Sequence, residues 1–139
     1  MSTERERAMI SNGSTASYAG ARFLVVEDSF AVASALEFLL QSAGYAVVGK
    51  AGHVGPALEL VASVPFDVAL LDIDLHGEHV APVADAVRRR GRPVIFLSGY
   101  GEVDMLPPHL RSLPRLEKPV DPDALFAAIE RALALRAVD

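Results

Sequence analysis

The sequence contains no cysteine, which removes disulfides, thiolate zinc sites and cysteine nucleophiles together. It contains no tryptophan. No segment reaches the apolar length of a membrane span. Basic residues are outnumbered, 13 against 18 acidic, and the net charge of −5 argues against a nucleic-acid surface as the main function. The N-terminus lacks the order of a signal peptide, basic and then apolar, because Glu4, Arg5, Glu6 and Arg7 alternate in sign. A cytoplasmic location is the expectation. What remains is a chain of 139 residues, 51% of them apolar, which suits one domain with a real core and leaves little room for a second.

The most informative stretch is Val68-Ala69-Leu70-Leu71-Asp72-Ile73-Asp74-Leu75-His76-Gly77. A short apolar run ends in a carboxylate and breaks at a glycine, as a buried strand of a parallel sheet does. Taken alone, Asp72 reads equally well as a turn former. The neighbouring segments repeat the pattern. Arg22 to Val26 is a second such run, ending in Glu27 and Asp28; Pro93 to Ser98 is another; Arg115 to Glu117 is a short one that leads into Lys118-Pro119.

Between these runs lie helical patterns. Phe30 to Ala43 places Val32, Ala35, Leu36, Leu39, Leu40 and Ala43 at helical spacing, and Gly44 stops it. Tyr45 to Ala51 reads as a strand. Pro56 begins a helix with Leu58, Val61 and Ala62 inward, ended by Pro65. Glu78 to Arg90 reads as a helix closed by Gly91. Pro107 and Pro108 exclude one long helix between Tyr100 and Leu113. Asp121-Pro122-Asp123 starts the last helix, with Leu125, Ile129, Ala132 and Leu133 inward. Residues 1–20 read as a flexible N-terminal arm, with 21–139 as the domain.

Five strands alternating with helices imply an α/β fold: a single doubly wound five-stranded parallel sheet, flavodoxin-like, in the order 2-1-3-4-5. That order sets the first and third strands side by side, so Glu27, Asp28 and Asp72 converge, flanked by Ser98 and Lys118 from strands four and five. Crowded carboxylates repel one another, and Mg²⁺ relieves this. A carboxylate nucleophile, a metal, a hydroxyl and an ammonium together describe a phosphoryl-transfer site.

In these positions the sequence resembles a response-regulator receiver domain. The resemblance rests on Glu27-Asp28, Asp72, Ser98 and Lys118-Pro119 and covers about Arg22 to Val138. It implies that Asp72 accepts a phosphoryl group from a histidine kinase or phosphotransfer protein. It also implies that Glu27, Asp28 and Asp72 hold Mg²⁺ with the backbone carbonyl of Asp74, and that Ser98 and Lys118 contact the phosphoryl group. The domain would catalyse only its own phosphorylation and dephosphorylation. Asp74-Leu75-His76-Gly77-Glu78, Pro82-Val83-Ala84-Asp85-Ala86 and Pro93 to Gly101 are similar to a group of stand-alone α-proteobacterial receivers with a Phe-Ala-Thr-Gly-Tyr-type segment, here Phe96-Leu97-Ser98-Gly99-Tyr100.

Two departures stand out. His76 occupies a position where many receivers have proline; a proton relay or a metal ligand is one reading, and an exposed loop residue is the preferred one. Arg115 stands three before the lysine, where most receivers have an aromatic switch residue. The expected switch therefore runs through Ser98, Gly99 and Tyr100, with Arg115 on the changing surface. No DNA-binding or catalytic output domain is expected beyond Asp139, and output by protein contact, phosphoryl relay or phosphoryl sink is the expectation. The alternatives are a small phosphatase of the haloacid-dehalogenase type, suggested by Asp72-Ile73-Asp74, and a receiver-like module that is never phosphorylated. Chain order opposes the first, since here the acidic pair precedes the nucleophile.

Overall fold

The three central strands of the sheet are apolar on both sides because each side is covered. In β1 (Arg22–Val26), Phe23 and Val25 point into one apolar layer, and Leu24 and Val26 into the other. The same alternation holds for β3 (Val68–Asp72) and β6 (Val94–Ser98), whose every residue is buried. A sheet buried on both faces shows continuous apolar runs in place of alternation, which is why these runs were readable. The structure, a computed structural model, describes residues 18–138.

The remaining elements are α1 (Phe30–Ser42), β2 (Ala46–Ala51), α2 (Val54–Ser63), the two-residue strands β4 (Asp74–Leu75) and β5 (Glu78–His79), α3 (Ala81–Arg89), β7 (Arg115–Glu117) and α4 (Pro122–Val138). The parallel sheet runs β2-β1-β3-β6-β7. Counting sheet strands alone, this is the expected order 2-1-3-4-5. Helices α1 and α4 cover the layer of Phe23, Leu70 and Ile95, while α2 and α3 cover that of Leu24, Leu71 and Phe96.

Several boundaries differ from expectation. The helix expected from Glu78 begins at Ala81, because Glu78 and His79 pair antiparallel with Leu75 and Asp74 in a small hairpin. Pro82 then sits in the first turn of α3, where its missing N–H costs nothing. In α1, Ala33 is buried and Ala35 exposed, and in α2 Ala57 is buried and Ala62 exposed. Residues 102–110 form two 3₁₀ turns, Glu102–Met105 and Pro108–Leu110, in keeping with the prolines. Asp121 caps α4, its Oδ2 accepting from Ala124 N at 2.9 Å. Of the expected N-terminal arm, residues 1–17 lie outside the described residues. Tyr18 to Gly20 form a turn, tied down where Gly20 N donates to Gly44 O at 2.8 Å.

A close approach fixes the packing of β2. A Cβ at Gly49 would lie 2.9 Å from Leu24 Cδ2 and 3.1 Å from Leu60 Cδ2, so any larger residue would have to displace these side chains. At the other end of the sheet, Asp67 joins β1 to α4. It accepts from Arg22 N and Nε at 2.7 and 3.1 Å and from Arg136 Nη1 at 2.8 Å.

Candidate functional site

The site is built at the C-terminal ends of the strands, where the backbone leaves the sheet. β1 ends at Val26, and Ser29 caps α1 by accepting from Val32 N at 3.2 Å. Glu27 and Asp28 are the two residues between strand end and cap. The Glu27 carboxylate folds back to accept from Ser29 N at 3.1 Å. β3 ends at Asp72, whose Oδ1 accepts from Asp74 N at 3.2 Å. Adjacent strands thus deliver three carboxylates, with one oxygen from each of Glu27, Asp28 and Asp72 lying within 4.8 Å of the others. Glu27 and Asp72 are buried, at 5% and 2% exposure.

One ammonium faces the cluster. Lys118 Nζ stands 3.0 Å from Asp72 Oδ2 and 3.0 Å from Glu27 Oε1. The latter oxygen is otherwise without an aligned donor among the described residues. Lys118 follows β7, and the Lys118–Pro119 peptide is cis. Burial would lower the ammonium's pKa, but its hydrogen bonds to Asp72 and Glu27 raise it overall. For Asp72, burial pushes the carboxyl up to about 6; Lys118 opposes the rise and the charge of Glu27 adds to it. The rise is thus chiefly a cost of burial, with the neighbouring Glu27 charge adding to it and Lys118 relieving it only in part. The donor set suits a hard divalent cation: carboxylate oxygens, two of the residues buried, with charge to spare.

The other expected residues fall as follows. Ser98 is buried at the end of β6, 3% exposed, beside β3. The Asp74 carboxylate is turned away and accepts from Gly77 N at 2.9 Å. Tyr100 is fully exposed. Arg115 is also exposed, and its Nη1 donates to Arg111 O at 3.2 Å, away from the carboxylates.

One contact of a residue already singled out, His76, and one further residue, Glu102, were not legible in sequence. His76 has an exposed ring, as expected, yet its Nδ1 is in hydrogen-bond contact with Asp28 Oδ2. It is held there by a left-handed backbone, φ 52°, at the tip of the β4–β5 hairpin. Glu102 accepts from Gly99 N at 2.7 Å, immediately after Ser98. Neither contact follows from residue spacing, because each depends on an irregular turn.

The model of the response regulator receiver domain matches residues 23–130. The chain belongs to the response regulator receiver family. Receiver domains are signalling domains that bind Mg²⁺ at acidic residues and interact with histidine kinases or phosphotransfer proteins. The tetrathionate response regulatory protein TtrR of Salmonella typhimurium is 36% identical over 116 residues, covering 80% of this chain and 55% of that protein. The transcriptional regulatory protein FixJ of Azorhizobium caulinodans is 32% identical over 115 residues, covering 78% of this chain and 53% of the relative. This receiver chain therefore spans about half the length of the curated relatives it matches. Among solved structures, SdrG from Sphingomonas melonis superposes with a TM-score of 0.73 at 34% identity, covering 83% of this chain and 97% of that one. No helix among the described residues is long and apolar enough to cross a membrane.

Proposed function

We propose that this receiver domain accepts a phosphoryl group on Asp72 from a histidine kinase or phosphotransfer protein, and signals by protein contact or by passing the group on. The observation that carries the reading is the Lys118 ammonium, 3.0 Å from an Asp72 carboxylate buried among two further acids. A buried acid with a raised pKa, a cation and a hydroxyl-bearing neighbour at one sheet edge is an arrangement for chemistry, because it costs stability where an apolar cluster would not.

In the proposed reaction an Asp72 carboxylate oxygen attacks the donor's phosphorus. The new O–P bond forms as the donor's P–N bond breaks, and the departing imidazole takes a proton from solvent. Lys118 pairs with the transferring oxygens and Ser98 donates its hydroxyl to one of them. Glu27, Asp28 and Asp72, with the Asp74 carbonyl, would hold Mg²⁺. Bound there, the metal would supply charge neutralisation for the carboxylate and the phosphoryl oxygens. Attack of water on the phosphorus breaks the Asp72 O–P bond, releases inorganic phosphate and restores the carboxylate, and no other catalytic activity is assigned. The domain acts in the cytoplasm, where such phosphodonors are made.

An apolar groove of about 320 Å³ beside Lys118, lined by Val32, Leu36, Leu39, Pro119 and Val120, supports docking of a donor protein next to Asp72. Incubation with Mg²⁺ and acetyl phosphate, followed by intact mass, tests the proposal. A gain of one phosphoryl group that requires Mg²⁺ is expected; no gain with either acetyl phosphate or a phosphorylated histidine donor contradicts it.

A further inference from the structure

The Gly99 N–H, at the end of β6, is a donor that a carboxylate already occupies. The Ser98–Gly99 peptide is planar and trans. Its carbonyl accepts from Lys118 N on the β7 side at 2.9 Å. Its N–H therefore points the opposite way, towards β3, which ends in Asp72. In the sheet, β6 lies between β3 and β7, so the 3.0 Å contact of Lys118 with Asp72 passes over the end of β6. An anionic group carried by Asp72 would lie there, where Ser98 and the Gly99 N–H stand.

That N–H instead donates to Glu102 Oε1 at 2.7 Å, and Glu102 N returns a bond to Gly99 O at 3.3 Å. Glycine makes the approach possible: a Cβ at position 99 would lie 3.2 Å from Glu102 Oε2 and 3.3 Å from its Cδ. Tyr100 and Gly101 form the arch between, with Gly101 left-handed at φ 78° and the Tyr100 ring in solvent.

We propose that Glu102 is a positioning residue that serves as an internal stand-in anion, holding the Gly99 N–H until a phosphoryl oxygen on Asp72 takes that donor and displaces it. This rests on the reading of Asp72 as acceptor. A phosphoryl group carries nearly two negative charges, so it both competes for the donor and repels the carboxylate. Released, Glu102 lets go of the Tyr100–Gly101 arch and of the 3₁₀ turn that it begins. Phosphorylation thereby reaches the exposed Tyr100 surface with no aromatic residue on β7. The same pair of bonds also suits a plain turn, and the test separates the two.

The test uses the full chain with Mg²⁺ and beryllofluoride as the phosphoryl mimic, comparing wild type, Glu102→Gln and Glu102→Ala. Half-saturation is read by calorimetry and the Gly99 amide by NMR. Glu102→Ala should bind beryllofluoride roughly three- to tenfold more tightly, the worth of one competing hydrogen bond. Glu102→Gln keeps an acceptor oxygen but loses the charge, and should fall between. The Gly99 amide resonance should move on saturation of the wild type. Equal or weaker binding in both variants overturns the proposal, as does a Gly99 amide that beryllofluoride leaves in place. Asp72→Ala separates the two readings. If it binds as well as wild type, the acceptor assignment falls; binding that needs Asp72 but ignores Glu102 overturns the role of Glu102 alone.

Discussion

Lys118 Nζ lies 3.0 Å from Asp72 Oδ2, although the strands that lead to these residues are separated by the whole of β6. The long lysine side chain closes over the end of the middle strand. The end of β6, with Ser98, thereby lies between the two strands that supply the ion pair.

Asp72 is held at the expense of stability. Its folded pKa, about 6, is raised above its unfolded value, chiefly by burial. A raised acid binds protons more readily in the folded state, so its contribution is fully present below about pH 4 and is lost as pH rises through about 6. Without Mg²⁺, Asp72→Asn should therefore be more stable than wild type at pH 7.5, by about 1 kcal/mol or a few degrees in Tm. The advantage should vanish near pH 4. A wild type at least as stable as the variant at pH 7.5 would show that the cluster is not strained.

Asp67 behaves oppositely. Burial would push its carboxyl up, but hydrogen bonds and charge from Arg22 and a hydrogen bond from Arg136 hold it well below the usual carboxylate range. A depressed acid stabilises above its unfolded pKa, and that stability drains away as pH falls below about 4. Asp67→Asn should cost roughly 1 kcal/mol at pH 7, after screening of the partly exposed arginines. Its Tm should also fall less steeply than wild type below pH 4. Parallel acid limbs for the two proteins would exclude Asp67 as the titrating group.

Mg²⁺ should raise the wild-type Tm by mass action, and Asp28→Ala should lose most of that gain. His76 bonds to the carboxylate of Asp28, one of the three that would hold a cation. His76→Ala should therefore reach half-maximal stabilisation at about two- to fivefold lower Mg²⁺, the worth of one competing hydrogen bond. Calorimetry suits the measurement, since the chain has no tryptophan. An undiminished Mg²⁺ response in Asp28→Ala would place the ion elsewhere.

Gly49→Ala should destabilise by about 1–3 kcal/mol, because the added methyl meets Leu24 and Leu60 inside ordinary contact distance. Urea unfolding with an unchanged m-value would register this as a packing cost. A variant as stable as wild type would mean that β2 shifts freely.

The sheet and the acid cluster were legible because both depend on runs of residue type. Asp72, Glu27 with Asp28, Ser98 and Lys118 each follow an apolar run, and strand order alone brings them together. The β4–β5 hairpin was not legible, since two-residue strands carry no periodicity, and its absence moved the expected start of α3 to Glu78. Helical spacing could not choose Ala33 over Ala35, or Ala57 over Ala62, because alanine gives little pattern on either face. The contacts of His76 with Asp28 and of Asp67 with Arg136 join residues 48 and 69 positions apart, through turns or edges that no local rule encodes.

The most direct measurement locates the phosphoryl group chemically. Protein treated with acetyl phosphate and Mg²⁺ is reduced with borohydride, which converts an aspartyl phosphate to homoserine, then digested and sequenced by mass spectrometry. The account predicts homoserine at position 72 alone, and no phosphoryl gain in Asp72→Ala. Homoserine at Asp28, Asp74 or another acid, or an undiminished gain in Asp72→Ala, would contradict it.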